Sequence, residues 1–132
     1  MSDDGTQPER QRASEGLRAV PSVRSAVARR VRYEKPRRFV VDGKEVSERD
    51  VIEIDVETDK EFVLGATGPA LFVGESVIVE SLRLDGRHYR FFAPSSNPLA
   101  AGAPIALGRA GTGVPVPERK ARARLQWQGE DS

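Results

Sequence analysis

The chain has 132 residues, 21 Lys and Arg against 20 Asp and Glu, no cysteine and one histidine, His88. That length holds one domain. The missing thiols exclude disulfides, thiolate metal sites and cysteine nucleophiles, and the lone imidazole excludes sites that need two.

The net charge of +1 conceals blocks of opposite sign. Residues 17–38 hold eight basic side chains and one acidic one; residues 39–63 hold nine acidic and three basic. Residues 119–127 are basic again, with four cations and no acid. No apolar run reaches the ~18–20 residues that span a bilayer. The first eight residues lack the basic and apolar regions of a secretory signal, so a cytoplasmic protein is expected.

Residues 1–16 are polar and without apolar periodicity, which predicts a disordered tail. Residues 17–36 form a basic arm. Val23, Ala26, Val27 and Val31 share one face at helical spacing, between Pro21-Ser22 as a start and Pro36 as a stop. From Arg30 onward Val31 and Tyr33 alternate with charged residues, so a first strand competes with a short amphipathic helix.

From Arg37 the period is two. Phe39-Val40-Val41 and Lys44-Glu45-Val46 flank Asp42-Gly43, a two-residue hairpin signal. Along Asp50–Glu57 the apolar Ile52, Ile54 and Val56 share one face, and Glu53, Asp55 and Glu57 the other. Shorter β-rich runs follow at 62–64, 70–73 and 76–84. Asp85-Gly86 repeats the hairpin signal before Arg87–Ala93. The last runs are 105–107 and 120–127, the latter alternating Ala121, Ala123, Leu125 and Trp127 with Lys120, Arg122, Arg124 and Gln126.

About seven or eight short strands with regular turn signals predict an all-β domain over residues 37–128, an antiparallel, immunoglobulin-like β-sandwich, followed by a tail at 129–132. The expected inward positions are Phe39, Val41, Ile52, Ile54, Val56, Val63, Leu71, Val73, Leu82, Tyr89, Phe91, Ile105, Leu107, Leu125 and Trp127. Buried Tyr and Trp each need a partner for the OH or NH.

Several groupings invite chemistry. Glu53, Asp55 and Glu57 could bind a hard cation, but neighbours on one strand face stand ~7 Å apart, too far for one ion to bridge all three. Pairing with cations of a neighbouring strand is the expected role, with Lys120, Arg122 and Arg124 as the natural complement. Gly108–Gly113 is glycine-rich but leads into Val114-Pro115-Val116-Pro117 rather than a helix, so it is read as an inter-strand loop. His88, beside Asp85, Arg87 and Arg90, has the chemistry of an acid–base residue without an ordered nucleophile. No metal or cofactor is implied.

The basic arm is the strongest compositional signal. Its arginines Arg24, Arg29, Arg30, Arg32, Arg37 and Arg38 are the candidate partner-binding residues. The leading expectation is a non-enzymatic interaction module that docks on a protein, a second copy included, through the arm and a sheet surface. The arm also has the charge to dock on the acidic 39–63 block of its own chain. Nucleic-acid binding through the arm is the first alternative. A small ligand-binding or enzymatic domain using loops 85–113, with His88 and Arg109, is the second.

Overall fold

A computed structural model of the chain describes residues 21–41, 43–62, 68–109 and 123–128. Its strands are β1 (Val23–Val41), β2 (Lys44–Thr58), β3 (Pro69–Val73), β4 (Ser76–Ile78), β5 (Ser81–Asp85), β6 (His88–Pro94), β7 (Pro104–Arg109) and β8 (Ala123–Trp127). No helix occurs among the described residues, so none there is long and apolar enough to cross a membrane.

The all-β class is as expected, but the architecture is not the antiparallel immunoglobulin-like sandwich. The strands form one mixed sheet in the order β4-β3-β7-β8-β1-β2-β6-β5, curled into a half-barrel. β8 runs parallel to β1, with Ala26 opposite Leu125 and Ala28 opposite Trp127, while the other pairings are antiparallel. A sandwich divides its strands between two sheets; here β8 bridges β1 and β7, so one ladder continues from one half to the other.

The curl follows from the inward side chains. Ile52, Ile54 and Val56 of β2 share a core with Tyr89 and Phe91 of β6, and with Leu71, Val73, Ile105, Leu107 and Leu125 from the opposite half. Each such burial stabilises by ~1.5–3 kcal/mol, more than an exposed ion pair can, so this inner face carries the fold. The two aromatic polar groups find partners: the Tyr89 hydroxyl donates to the Phe62 carbonyl at 3.3 Å, and the half-buried Trp127 indole N–H to the Leu99 carbonyl at 2.9 Å.

Leu82 departs from its expected inward place and stands 52% exposed. The β5–β6 ladder explains it. Asp85 faces His88 across the turn Gly86-Arg87, and an extra residue, Leu84, shifts the register before Arg83 meets Tyr89. A one-residue shift reverses the faces, so Leu82 lies opposite Arg90 on the outer side. Val41 and Trp127 are half-buried. The expected inward position Val63 lies outside the described residues.

The arm from Val23 onward is strand, continuous with the segment after Pro36. β1 and β2 pair along their whole length, with two irregularities: a one-residue shift between Val23 and Ser25 and a larger one between Arg32 and Arg37. Arg32 faces Asp50 and Arg37 faces Glu48, so Tyr33, Glu34, Lys35 and Pro36 stand against Arg49 alone. Pro36 cannot donate to a ladder, and a bulge removes the need. Beyond it the hairpin tip lays Phe39 against Val51 and Phe92, with Tyr33, Val41 and Val46 around them. This second, smaller cluster lies on the outer face. Val51 faces Val31 in the same parity as Glu53, Asp55 and Glu57, yet it is fully buried.

Candidate functional site

The outer face of β1, β2 and β6 carries an ionic lattice. The β1–β2 register sets Arg29 opposite Glu53, and the β2–β6 register sets Asp55 opposite Arg90. Arg29 donates to Glu53 Oε1 at 2.5 Å and to Asp55 Oδ2 at 2.8 Å. Arg90 donates through Nε to Asp55 Oδ1 at 2.8 Å. The Tyr33 hydroxyl donates to Glu53 Oε2 at 2.5 Å.

The titration behaviour follows from these contacts. Hydrogen bonding to Asp55 raises the Arg29 and Arg90 pKa values. Burial alone would raise Asp55, but the bonds from Arg90 and Arg29 outweigh it and hold the carboxyl below its ordinary range. Burial, reinforced by the hydrogen bond to Glu53, pushes the Tyr33 phenol up to about 12.

The six arm arginines all have partners within the chain. Arg24 reaches Glu57 at 4.0 Å, Arg32 reaches Asp50 at 2.9 Å and Arg38 reaches Glu45 at 3.6 Å. Arg29 is held as described. Arg37 lies over the Phe92 ring at 4.0 Å and reaches Glu80 at 3.5 Å, while its Nε is buried without a hydrogen-bond acceptor. Arg30 lies over the Trp127 ring at 4.8 Å. The acidic triplet therefore meets β1 and β6. Of the expected complement, the 120–127 segment, the described part is β8, which lies beside β1 instead. Of the segment's cations, Lys120 and Arg122 lie outside the described residues, and Arg124 donates to the Gly102 carbonyl.

His88 Nδ1 lies 2.8 Å from Asp85 Oδ1 and 2.9 Å from Oδ2. Asp85 also accepts the Arg87 backbone N–H at 2.8 Å, and that bond, followed by the one to His88, lowers its pKa. These contacts brace the β5–β6 turn. A concavity of about 620 Å³ beside them is lined by Arg29, Asp55, Leu84 and His88 among others. Arg109 lies over the Phe62 ring at 5.2 Å, at the far end of the fold from the hairpin tip. The rest of the Gly108–Gly113 loop, from Ala110, lies outside the described residues. Among the described residues no three acidic or histidine side chains are grouped to hold a metal ion.

The feature missed from sequence is an apolar stripe. The large apolar side chains most exposed among the described residues are Val40 (72%), Val79 (50%), Leu82 (52%), Leu84 (47%) and Val77 (41%). Four of these five lie in one eight-residue run, on the two edge strands of the sheet and the Val79-Glu80 step between them. At the upper end, Val77 and Val79 line a cleft of about 660 Å³. Phe39, Val40 and Val41 line it from the hairpin side, and Ile78, Phe92, Ala93 and Pro94 are its other apolar lining residues. The 76–84 run reads as β-rich from sequence; the bulge at Leu84 turns Leu82 outward, and a break at Val79-Glu80 separates β4 from β5.

No family model matches the sequence, and neither a curated protein nor a solved structure matches it.

Proposed function

We propose that the chain is a non-enzymatic protein-interaction module whose docking surface is the apolar stripe along residues 77–84 and the cleft at its upper end. The observation that carries this reading is the coincidence of exposed apolar side chains with the two edge strands of the sheet. Open edges offer unpaired main-chain groups, and native proteins ordinarily guard them with charge or proline. β5 carries two such charges, Arg83 and Asp85, yet Val77, Val79, Leu82 and Leu84 stay 41–52% exposed beside them, and exposed apolar patches of this kind mark interaction surfaces. In this reading the basic arm contributes by shaping the surface. Its arginines neutralise β2, and the tip they lead into forms one wall of the cleft.

Nucleic-acid binding through the arm has less support, because each of its six candidate arginines is engaged within the chain. Polyanion binding of that kind makes affinity fall steeply with salt.

The test is a photo-crosslinking residue placed at Leu82 or Val79, with Arg49 as an exposed control away from the stripe. Adducts to discrete proteins from the stripe positions and none from Arg49 are expected. Equal labelling from all three positions, or none, overturns the reading. Retention of the chain on DNA at low salt, lost on raising it, would favour the alternative.

A further inference from the structure

The cleft has the form of a parted sheet. β5 and β6 stay paired up to the rung in which the Phe92 N–H donates to the Glu80 carbonyl at 3.0 Å. Past that rung the strand is interrupted at Val79-Glu80, and β4 pairs with β3. β6 does not follow. Pro94 has no N–H to offer, and its carbonyl is already bonded by the Asn97 N–H at 2.9 Å.

β4 is thereby left with an open side. Val73 and Ser76 face each other across the two-residue turn Gly74-Glu75. In an antiparallel ladder closed that way, Ser76 and Ile78 exchange bonds with β3, and the N–H and C=O of Val77 turn away from it. They face the cleft, whose lining includes Val77. Its volume lies within the roughly 300–1,000 Å³ of ligand sites. Its lining mixes apolar side chains with the polar Ser76, Ser96 and Asn97, and its two ionisable lining residues, Glu75 and Glu80, are both carboxylates. Among the described residues the Glu80 carboxylate meets one cation, Arg37 at 3.5 Å, long for an ion pair.

We propose that this cleft takes an extended segment of a partner protein in which apolar residues alternate with lysine or arginine, added as a strand to the open side of β4. The inference rests on the interaction reading and names its ligand. Main-chain bonds to Val77 supply affinity. Apolar side chains on one face of the segment pack on Phe92, Pro94 and Val41, and cations on the other meet Glu75 and Glu80 at the rim. An acidic segment is repelled by the same two carboxylates.

The probe is a capped hexapeptide of alternating lysine and valine, titrated into the isotopically labelled full chain and followed by backbone amide shifts. Two further versions carry N-methyl groups on alternate residues, one in each phase, and a fourth replaces lysine with glutamate. Saturable shifts at Val77, Val79 and Phe92 are expected with the lysine peptide and not with the glutamate peptide. One N-methyl phase, the one whose N–H groups face β4, should weaken binding by about tenfold and the other should not. Glu75→Lys should weaken the lysine peptide without altering the spectrum of the free protein elsewhere. Equal binding by both N-methyl phases would mean attraction by charge alone and overturns the proposal, as does no binding at millimolar peptide. In either case, adducts from a crosslinker at Leu82 or Leu84, outside the cleft, would leave the module reading standing. Their absence would remove both.

Discussion

Arg29 faces Glu53 across the β1–β2 ladder and meets its carboxylate at 2.5 Å. Glu53 is one of only two buried polar or charged side chains among the described residues, and Arg29 is its closest cation. Breaking a buried pair from one side costs more than removing both partners, because a lone charge stays behind in a poorly solvated place. Arg29→Leu leaves Glu53 with Tyr33 and a distant Arg90, and is expected to lower stability by about 2–3 kcal/mol. Arg29→Leu with Glu53→Leu should cost less than the sum of the two single changes, with a coupling of at least ~1 kcal/mol. Urea unfolding of the four proteins measures it, and strict additivity would refute the pairing.

Burial, reinforced by the same carboxylate, governs Tyr33. With the phenol pushed up to about 12, the folded state holds its proton where an unfolded tyrosine, near 10, has lost it. Below about pH 10 the contribution to stability is complete, and it is lost as pH rises through 10 toward 12. Tyr89 is also raised, by burial. The chain has only these two tyrosines, so little tyrosinate absorbance should appear near pH 10 while the protein stays folded. Tyr33→Phe should flatten part of the alkaline loss of stability. An ordinary tyrosinate titration near pH 10 before unfolding would contradict both environments.

The face assignments are tested by a pair of leucine and isoleucine truncations. Ile54→Ala, at a position with no exposure, should cost about 2–5 kcal/mol. Leu82→Ala, half exposed on the outer side, should stay within about 0.5 kcal/mol. A large loss for Leu82 would mean that β5 sits in the register its simple alternation suggests.

That contrast marks what the chain makes legible. Ile52, Ile54 and Val56 are readable because β2 keeps an unbroken period of two with one wet side. Leu82 is not, because a single extra residue reverses parity and leaves no trace in the pattern itself. The arm is ambiguous in sequence for a related reason. Pro36 has the look of a helix stop, whereas here it sits in a bulge where no N–H is needed, and the ladder resumes beyond it. Extending the Asp42-Gly43 hairpin backward through that bulge would have set Arg32 against Asp50 and Arg29 against Glu53. The burial of Val51 is not legible because its cover, Phe39 and Phe92, arrives from segments far apart in sequence. The stripe is not legible because exposure at an edge depends on strand order, which alternation does not encode.

Glu48 ties the hairpin tip to the turn after β6. One carboxylate oxygen accepts the Ser95 hydroxyl and the Ser96 N–H, both at 3.2 Å, and the other accepts the Ser96 hydroxyl. The Ser96 hydroxyl bond is the main cause, opposed by burial, of a Glu48 pKa below its ordinary value. A depressed carboxyl stabilises fully above the unfolded pKa, near 4.3, and the contribution fades as pH falls through the folded value below it. At neutral pH, Glu48→Ala should speed amide exchange of residues 38–47 by about tenfold, equivalent to ~1.4 kcal/mol of local opening, and leave the β2–β6 core amides unchanged. In the native protein the same tip amides should quicken selectively on acidification below about pH 4. Uniform acceleration over tip and core would mean that Glu48 supports the whole fold and does not fasten one wall of the cleft.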